Sequence, residues 1–212
     1  MPIIEGLMPV NSDALHLYGA LMNNAALSAD VRDTCVVALQ AVGRSRWDQH
    51  HQDLALAKPG EGDFDRAVNC YVSVIKWAVM SGALSVLRAG RFCQELSNAA
   101  STVDGANKTA RQLIHSLMPV RGYVAGENVP LGAIVYHGAR DNAIAHVTLH
   151  VGNGMVVGCW AAAYLQSAAL RTQFESLIDR GWLGDTMLTP IDAFGADQLD
   201  YSLNPFWQDL PV

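Results

Sequence analysis

Asn69-Cys70-Tyr71-Val72-Ser73-Val74-Ile75-Lys76-Trp77-Ala78-Val79-Met80-Ser81-Gly82 is an almost unbroken apolar run, interrupted only by Ser73 and Lys76. Turn residues (Pro59-Gly60-Glu61-Gly62-Asp63) precede it, and Gly82 stands at its close. The pattern predicts a buried helix with Asn69 as N-cap and Gly82 as C-cap. Cys70 then falls in the first turn, where unpaired amide N–H groups and the positive end of the helix macrodipole favour a thiolate over a thiol. The bland use of a cysteine, as a small core hydrophobe, suits the same position.

A thiolate nucleophile needs a base to take its proton and return it to a leaving group. Histidine suits that task because its ordinary pKa, about 6.5, lies near working pH. His146 is the best placed. It opens His146-Val147-Thr148-Leu149-His150-Val151-Gly152-Asn153-Gly154-Met155-Val156-Val157, which alternates apolar and polar residues, turns at Gly-Asn-Gly and resumes with β-branched residues. That is a β-hairpin signature. Ala133-Ile134-Val135-Tyr136-His137 reads as the strand before it and residues 155–160 as the strand after. His146, Thr148 and His150 share one face, with His150 about 13 Å along the strand from His146, too far to orient it.

A helix-borne cysteine followed far downstream by a strand-borne histidine and a glycine-bounded hairpin resembles the NlpC-type cysteine peptidases and the related CHAP amidases, both papain-like. The family's Asp-Cys-Ser-Gly start and Ala-Gly close match Asn69-Cys70-Tyr71-Val72 and Ser81-Gly82-Ala83-Leu84. Its Pro-Gly-Asp strand start and His-Val-Gly-Ile-Tyr-x-Gly-x-Gly match Val129-Pro130-Leu131-Gly132-Ala133-Ile134-Val135-Tyr136 and the stretch from His146 to Gly154. The resemblance spans roughly residues 63–160. It implies Cys70 as nucleophile, His146 as general base and then acid, and the Cys70 amide as an oxyanion donor, with Tyr71 or a residue upstream as the second. In that family a polar residue on the strand after the hairpin orients the imidazole. Here that strand offers only Gly158-Cys159-Trp160, so Asn153, Asp141, Gln166 and a main-chain carbonyl are the candidates for that role.

Working outward, 212 residues with 50% apolar and 16% charged side chains can bury one sizeable core, so a single domain is expected over 1–212. Fourteen basic against 20 acidic residues leave a net charge of -6 with no basic run, which argues against nucleic acid and against an anionic membrane surface as partners. No run of about 18 apolar residues predicts a membrane span, and the first residues lack the basic and long apolar regions of a secretory signal. Synthesis in a reducing cytoplasm follows as the expectation. Cys35, Cys70, Cys93 and Cys159 show neither disulfide-scaffold nor metal-knuckle spacing, and Cys35 sits inside a helical core pattern. His50-His51 beside Asp48 and Asp53 invites a metal reading. Adjacent histidines on a helix point about 100° apart, however, so a polar face is the default, and neither metal nor cofactor is expected.

Residues 1–58 read as N-terminal helices, with Asn11-Ser12-Asp13 offering caps and Gly43 a stop. Residues 63–160 form the catalytic core, within which 86–115 is a helical insertion that shapes or lids the cleft. Residues 161–212 supply a C-terminal helix, through about 178, and a Gly-, Pro- and aromatic-rich tail. The expected architecture is α+β, papain-like and NlpC-type, with N-terminal helices and a small antiparallel sheet. The resemblance implies an amide of peptidoglycan stem peptides as substrate. A wall enzyme without a signal then implies export by a contact-dependent secretion machine, as for bacterial amidase toxins, and an immunity protein that plugs the cleft. Two rivals stand beside this reading: a cysteine protease or glutamine deamidase toxin acting on host proteins, and a non-catalytic binding module on the same fold.

Overall fold

A computed structural model of the chain describes residues 7–44, 70–100, 118–138, 145–159, 186–193 and 198–210. Helix α1 (Ser12–Met22) begins where the sequence offers a cap: the Asn11 side-chain carbonyl accepts the N–H groups of Asp13 at 2.8 Å and Ala14 at 3.1 Å, satisfying two of the helix's orphan donors. Helix α2 (Ala29–Ala41) stops just before Gly43, whose φ of 74° lies in the left-handed region that glycine enters without strain. Helix α3 (Cys70–Met80) is the apolar run itself, and every residue in it except Tyr71 is buried. Its polar members are satisfied locally: the Ser73 hydroxyl donates to the Cys70 carbonyl at 2.8 Å, and Ser81, just past its end, shares a 2.7 Å bond with Thr34 of α2. Gly82, at φ 81°, closes it with an N–H donated to the Val79 carbonyl. The predicted cap at Asn69 lies outside the described residues. Helix α4 (Val86–Ala100) follows after a short turn.

Among the described residues six strands form one antiparallel sheet: β1 (Val120–Gly122), β2 (Ile134–Gly138), β3 (Ala145–Gly152), β4 (Met155–Cys159), β5 (Thr186–Pro190) and β6 (Gln198–Ser202), in the order β1-β6-β2-β3-β4-β5. Strands β2 to β5 meander, and β6 returns to the free side of β2. The two-residue period of a strand sorts the side chains into two cores. Ile134, Tyr136, Val147, Leu149, Val151, Val157 and Cys159 join α1, α2 and α3 in the larger one. Val135, Val156 and Tyr201 join Val129, Ala133 and Ile191 in the smaller one. The β3–β4 hairpin turns as predicted, through Gly152 (φ 108°), Asn153 (φ 52°) and Gly154 (φ 67°).

The α+β expectation holds, and the sheet is larger than expected because the tail is not merely a tail. It contributes β5, β6 and helix α5 (Phe206–Asp209), which sends Phe206 and Trp207 into the larger core. Trp207 lies so close to Gly132 (φ 76°) that a Cβ there would sit 2.6 Å from its ring. The α4 helix covers the first half of the predicted 86–115 insertion. The remainder of that stretch, the helix expected over 161–178 and His50-His51 lie outside the described residues. Among the described residues no helix is long and apolar enough to cross a membrane.

Candidate functional site

The N-terminus of α3 meets the sheet at the beginning of β3. The His150 N–H donates to Ala133 on the β2 side, so the odd-numbered residues of β3 direct their N–H groups towards β4. The β3–β4 register begins at Leu149↔Val157, and the N–H of Val147, two residues earlier, donates to the sulfur of Cys70. The sulfur thus lies at the edge of the strand, one residue along from His146, and the amides of Cys70 and Tyr71 also point at it. Cys70 is thus brought beside the backbone of Val147, the residue after His146, while the His146 side chain leaves the strand on the other face. Cys70 stands apart from its fellows here: Cys35 and Cys159 belong to the larger core and Cys93 packs against it, whereas Cys70 joins neither apolar cluster among the described residues.

The expected stabilised thiolate is not what this geometry produces. Cys70 is only 9% exposed, and burial, which penalises the charged form, outweighs the three amides and pushes the thiol up to about 11. The helix terminus acts as predicted but loses to desolvation. The resting sulfur is therefore a thiol, and any chemistry at it must remove the proton as the bond forms. Cys35 and Cys93 are pushed further, to about 12, again by burial.

His146 is the second residue of β3 and 7% exposed. Its side chain leaves the strand on the face it shares with Thr148 and with His137 of β2, opposite the face of Val147 and Leu149. Burial first, then the neighbouring His137, hold it well below the usual histidine range, so it is uncharged at neutral pH. His137 sits directly across from it, with ring centroids 6.0 Å apart, and is held to about 3 by burial. Its Nε2 bonds the Thr148 hydroxyl at 2.9 Å. His150 is occupied elsewhere: its Nδ1 is 3.0 Å from the Pro130 carbonyl.

Of the three side chains considered for orienting His146, Asn153 is excluded by position. It is exposed at the hairpin tip, about 20 Å along β3 from His146, and its φ of 52° explains it as a turn residue that tolerates the left-handed conformation. Asp141 and Gln166 lie outside the described residues. Tyr71 stands beside the site in a way that sequence did not foresee: its hydroxyl is buried with no hydrogen-bond partner among the described residues, and after burial the largest influences on it are Cys70 and Tyr136. His137 and Thr148 also went unforeseen. A signal for the first existed, since His137 and His146 each lie four positions from the turn-prone pair Asp141-Asn142 (141 minus 137, 146 minus 142), which would fold them opposite each other. No family model matches the chain, and neither a curated protein nor a solved structure matches it.

Proposed function

We propose that this chain is a thiol hydrolase of papain-like, NlpC-type architecture that cleaves an amide bond with Cys70 as nucleophile and His146 as general base. The observation that carries the reading is the hydrogen bond from the Val147 amide to the Cys70 sulfur, which brings the thiol to the strand residue that follows His146. Because both groups rest uncharged, attack and proton removal go together. The sulfur bonds to the amide carbonyl carbon while its proton passes to the imidazole. The amides of Cys70 and Tyr71 are the nearest donors for the oxyanion. His146 then protonates the departing amine, and water hydrolyses the thioester and restores the thiol. The resemblance favours amides of peptidoglycan stem peptides as substrate. It also favours delivery as an effector by a contact-dependent secretion machine, with an immunity protein as the cognate inhibitor.

Incubation with purified muropeptides followed by mass spectrometry tests this. The expected product carries a new free amine and carboxylate, and both Cys70→Ala and His146→Ala abolish it. Muropeptides left intact by the wild-type chain would remove the wall substrate, and cleavage that survives Cys70→Ala would remove the thiol mechanism. The burial of Cys70 favours one other reading, a binding module on the same scaffold. That reading predicts retention of the wild-type chain on muropeptides without turnover, unchanged in Cys70→Ala.

A further inference from the structure

The residues beside Cys70 continue across the sheet as one row. The Cys70 sulfur takes a hydrogen bond from the Val147 amide, Val147 lies opposite Tyr136 on β2, Tyr136 opposite Asp200 on β6, and Asp200 opposite Gly122 on β1. Directly opposed residues of an antiparallel sheet send their side chains to the same face. Val147 and Tyr136 point into the core shared with α3, so Asp200 emerges on the α3 face as well. A second observation agrees: a Cβ added at Gly122 would find Asp200 Oδ1 as its nearest described neighbour, at 3.9 Å. The carboxylate therefore leans over a residue that has no side chain. With strands about 4.8 Å apart, Asp200 stands roughly 10 Å from Val147, and roughly 10–15 Å from the sulfur on the far side of β3.

This strip reaches solvent along its length. Tyr71, the next residue after Cys70, is half-buried, Asp200 is half-buried, and Gly122 is exposed. Helix α3 covers β3 and β4, and none of the described helices packs broadly over β1 or β6. The Tyr71 phenol feels Tyr136, the residue opposite Asp200, which sets it over the same row. Arg121, the neighbour of Gly122, is paired with Tyr201 of the smaller core and so is directed to the opposite face, where it bonds Glu127. The charge at the open end of the strip is thus acidic. A carboxylate presents about four lone-pair sites, enough to hold an incoming donor beside any it already has. We propose that Asp200 sets the charge preference of the site by receiving an ammonium group of the substrate, roughly 10–15 Å from the amide carbonyl that Cys70 attacks. The inference rests on the hydrolase reading for the reaction and on the row of paired residues for the distance. At roughly 3.3–3.6 Å per extended residue, that span is about three to four residues of peptide.

The test uses the full chain and purified muropeptides whose free amines are either intact or blocked by acetylation, which removes the positive charge and leaves every backbone amide in place. In the wild type the intact form is expected to have a KM about 5- to 10-fold below that of the acetylated form, the scale of a charge-assisted hydrogen bond at a half-buried site. Asp200→Asn is expected to abolish that preference, Asp200→Glu to keep most of it, and Asp200→Lys to reverse it. Titration calorimetry on Cys70→Ala, alone and combined with each Asp200 variant, repeats the comparison as Kd without turnover and should give the same ordering. No preference for the intact form in the wild type, or a preference that survives in both Asp200→Asn and Asp200→Lys, would overturn the proposal while leaving the hydrolase reading intact. Absent turnover alongside an Asp200-dependent preference in calorimetry overturns the hydrolase reading and leaves the ammonium site standing. Neither turnover nor binding of either form overturns both.

Discussion

At the scale of single residues, the site is governed by desolvation. Cys70 has the helix N-terminus, two amides of its own turn and the Val147 amide all favouring the thiolate, yet burial leaves it a thiol; His137 and His146 stay neutral for the same reason. Each buried histidine is also a statement about stability. The folded-state value for His137, about 3, lies below the 6.5 of an unperturbed histidine, so as pH falls the unfolded chain takes up a proton that the folded chain refuses. Stability is therefore retained above about pH 6.5 and lost progressively from there down towards pH 3, and linkage puts the loss at about 2 kcal/mol between pH 7 and pH 5 for this one group. Urea midpoints at the two pH values measure it. In His137→Gln the pH dependence should shrink by about that amount, whatever the variant's stability at pH 7, and an unchanged dependence would mean that His137 titrates normally. The position of Cys70 was legible in the sequence because a cap, a turn and an apolar run are local signals. Its protonation was not, because its burial is a property of the folded packing, in which even its amide partner Val147 comes from β3, more than seventy positions away.

At the scale of elements, α3 is the member on which the others are arranged. It packs against α2 on one side and against β3 and β4 on the other, and it carries Trp77, one of the largest fully buried side chains among the described residues. Trp77→Ala should cost about 3–5 kcal/mol, the usual penalty for truncating a buried aromatic, read as a lowered urea midpoint with the slope preserved. A loss under about 1 kcal/mol would mean that α3 is not held against the sheet as described. Helix α3, helices α1 and α2 and the β3–β4 hairpin were all readable, since each announces itself within a dozen residues through a 3.6- or two-residue period and a glycine or asparagine boundary. Strands β5 and β6 were not. Thr186-Met187-Leu188-Thr189-Pro190 and Gln198-Leu199-Asp200-Tyr201-Ser202 are five residues each and only partly apolar, and β6 becomes a strand by lying between β1 and β2, a pairing that no local pattern encodes.

At the scale of the whole molecule, the last described residues close the structure. Strand β6 is hydrogen-bonded to β1 on one side and β2 on the other, so β1 reaches the sheet only through it. Immediately after it, the Phe206 N–H donates to the Gly132 carbonyl, the Trp207 ring fills the space over Gly132, and the Arg88 guanidinium of α4 bonds the Leu210 carbonyl. This one segment thus ties β2's approach, the larger core and α4 together. Truncation after Ser202 would remove two buried aromatic side chains and Leu210 from that core, a loss on the order of 5 kcal/mol or more by the scale of single aromatic deletions. Domains of this size hold only about 5–15 kcal/mol in all, so the shortened chain should lose its cooperative thermal transition and its near-UV circular dichroism while keeping part of its helical far-UV signal. A truncated chain with a native-like transition and an unaltered near-UV spectrum would mean that the fold is organised by α3 and the β2–β4 strands alone.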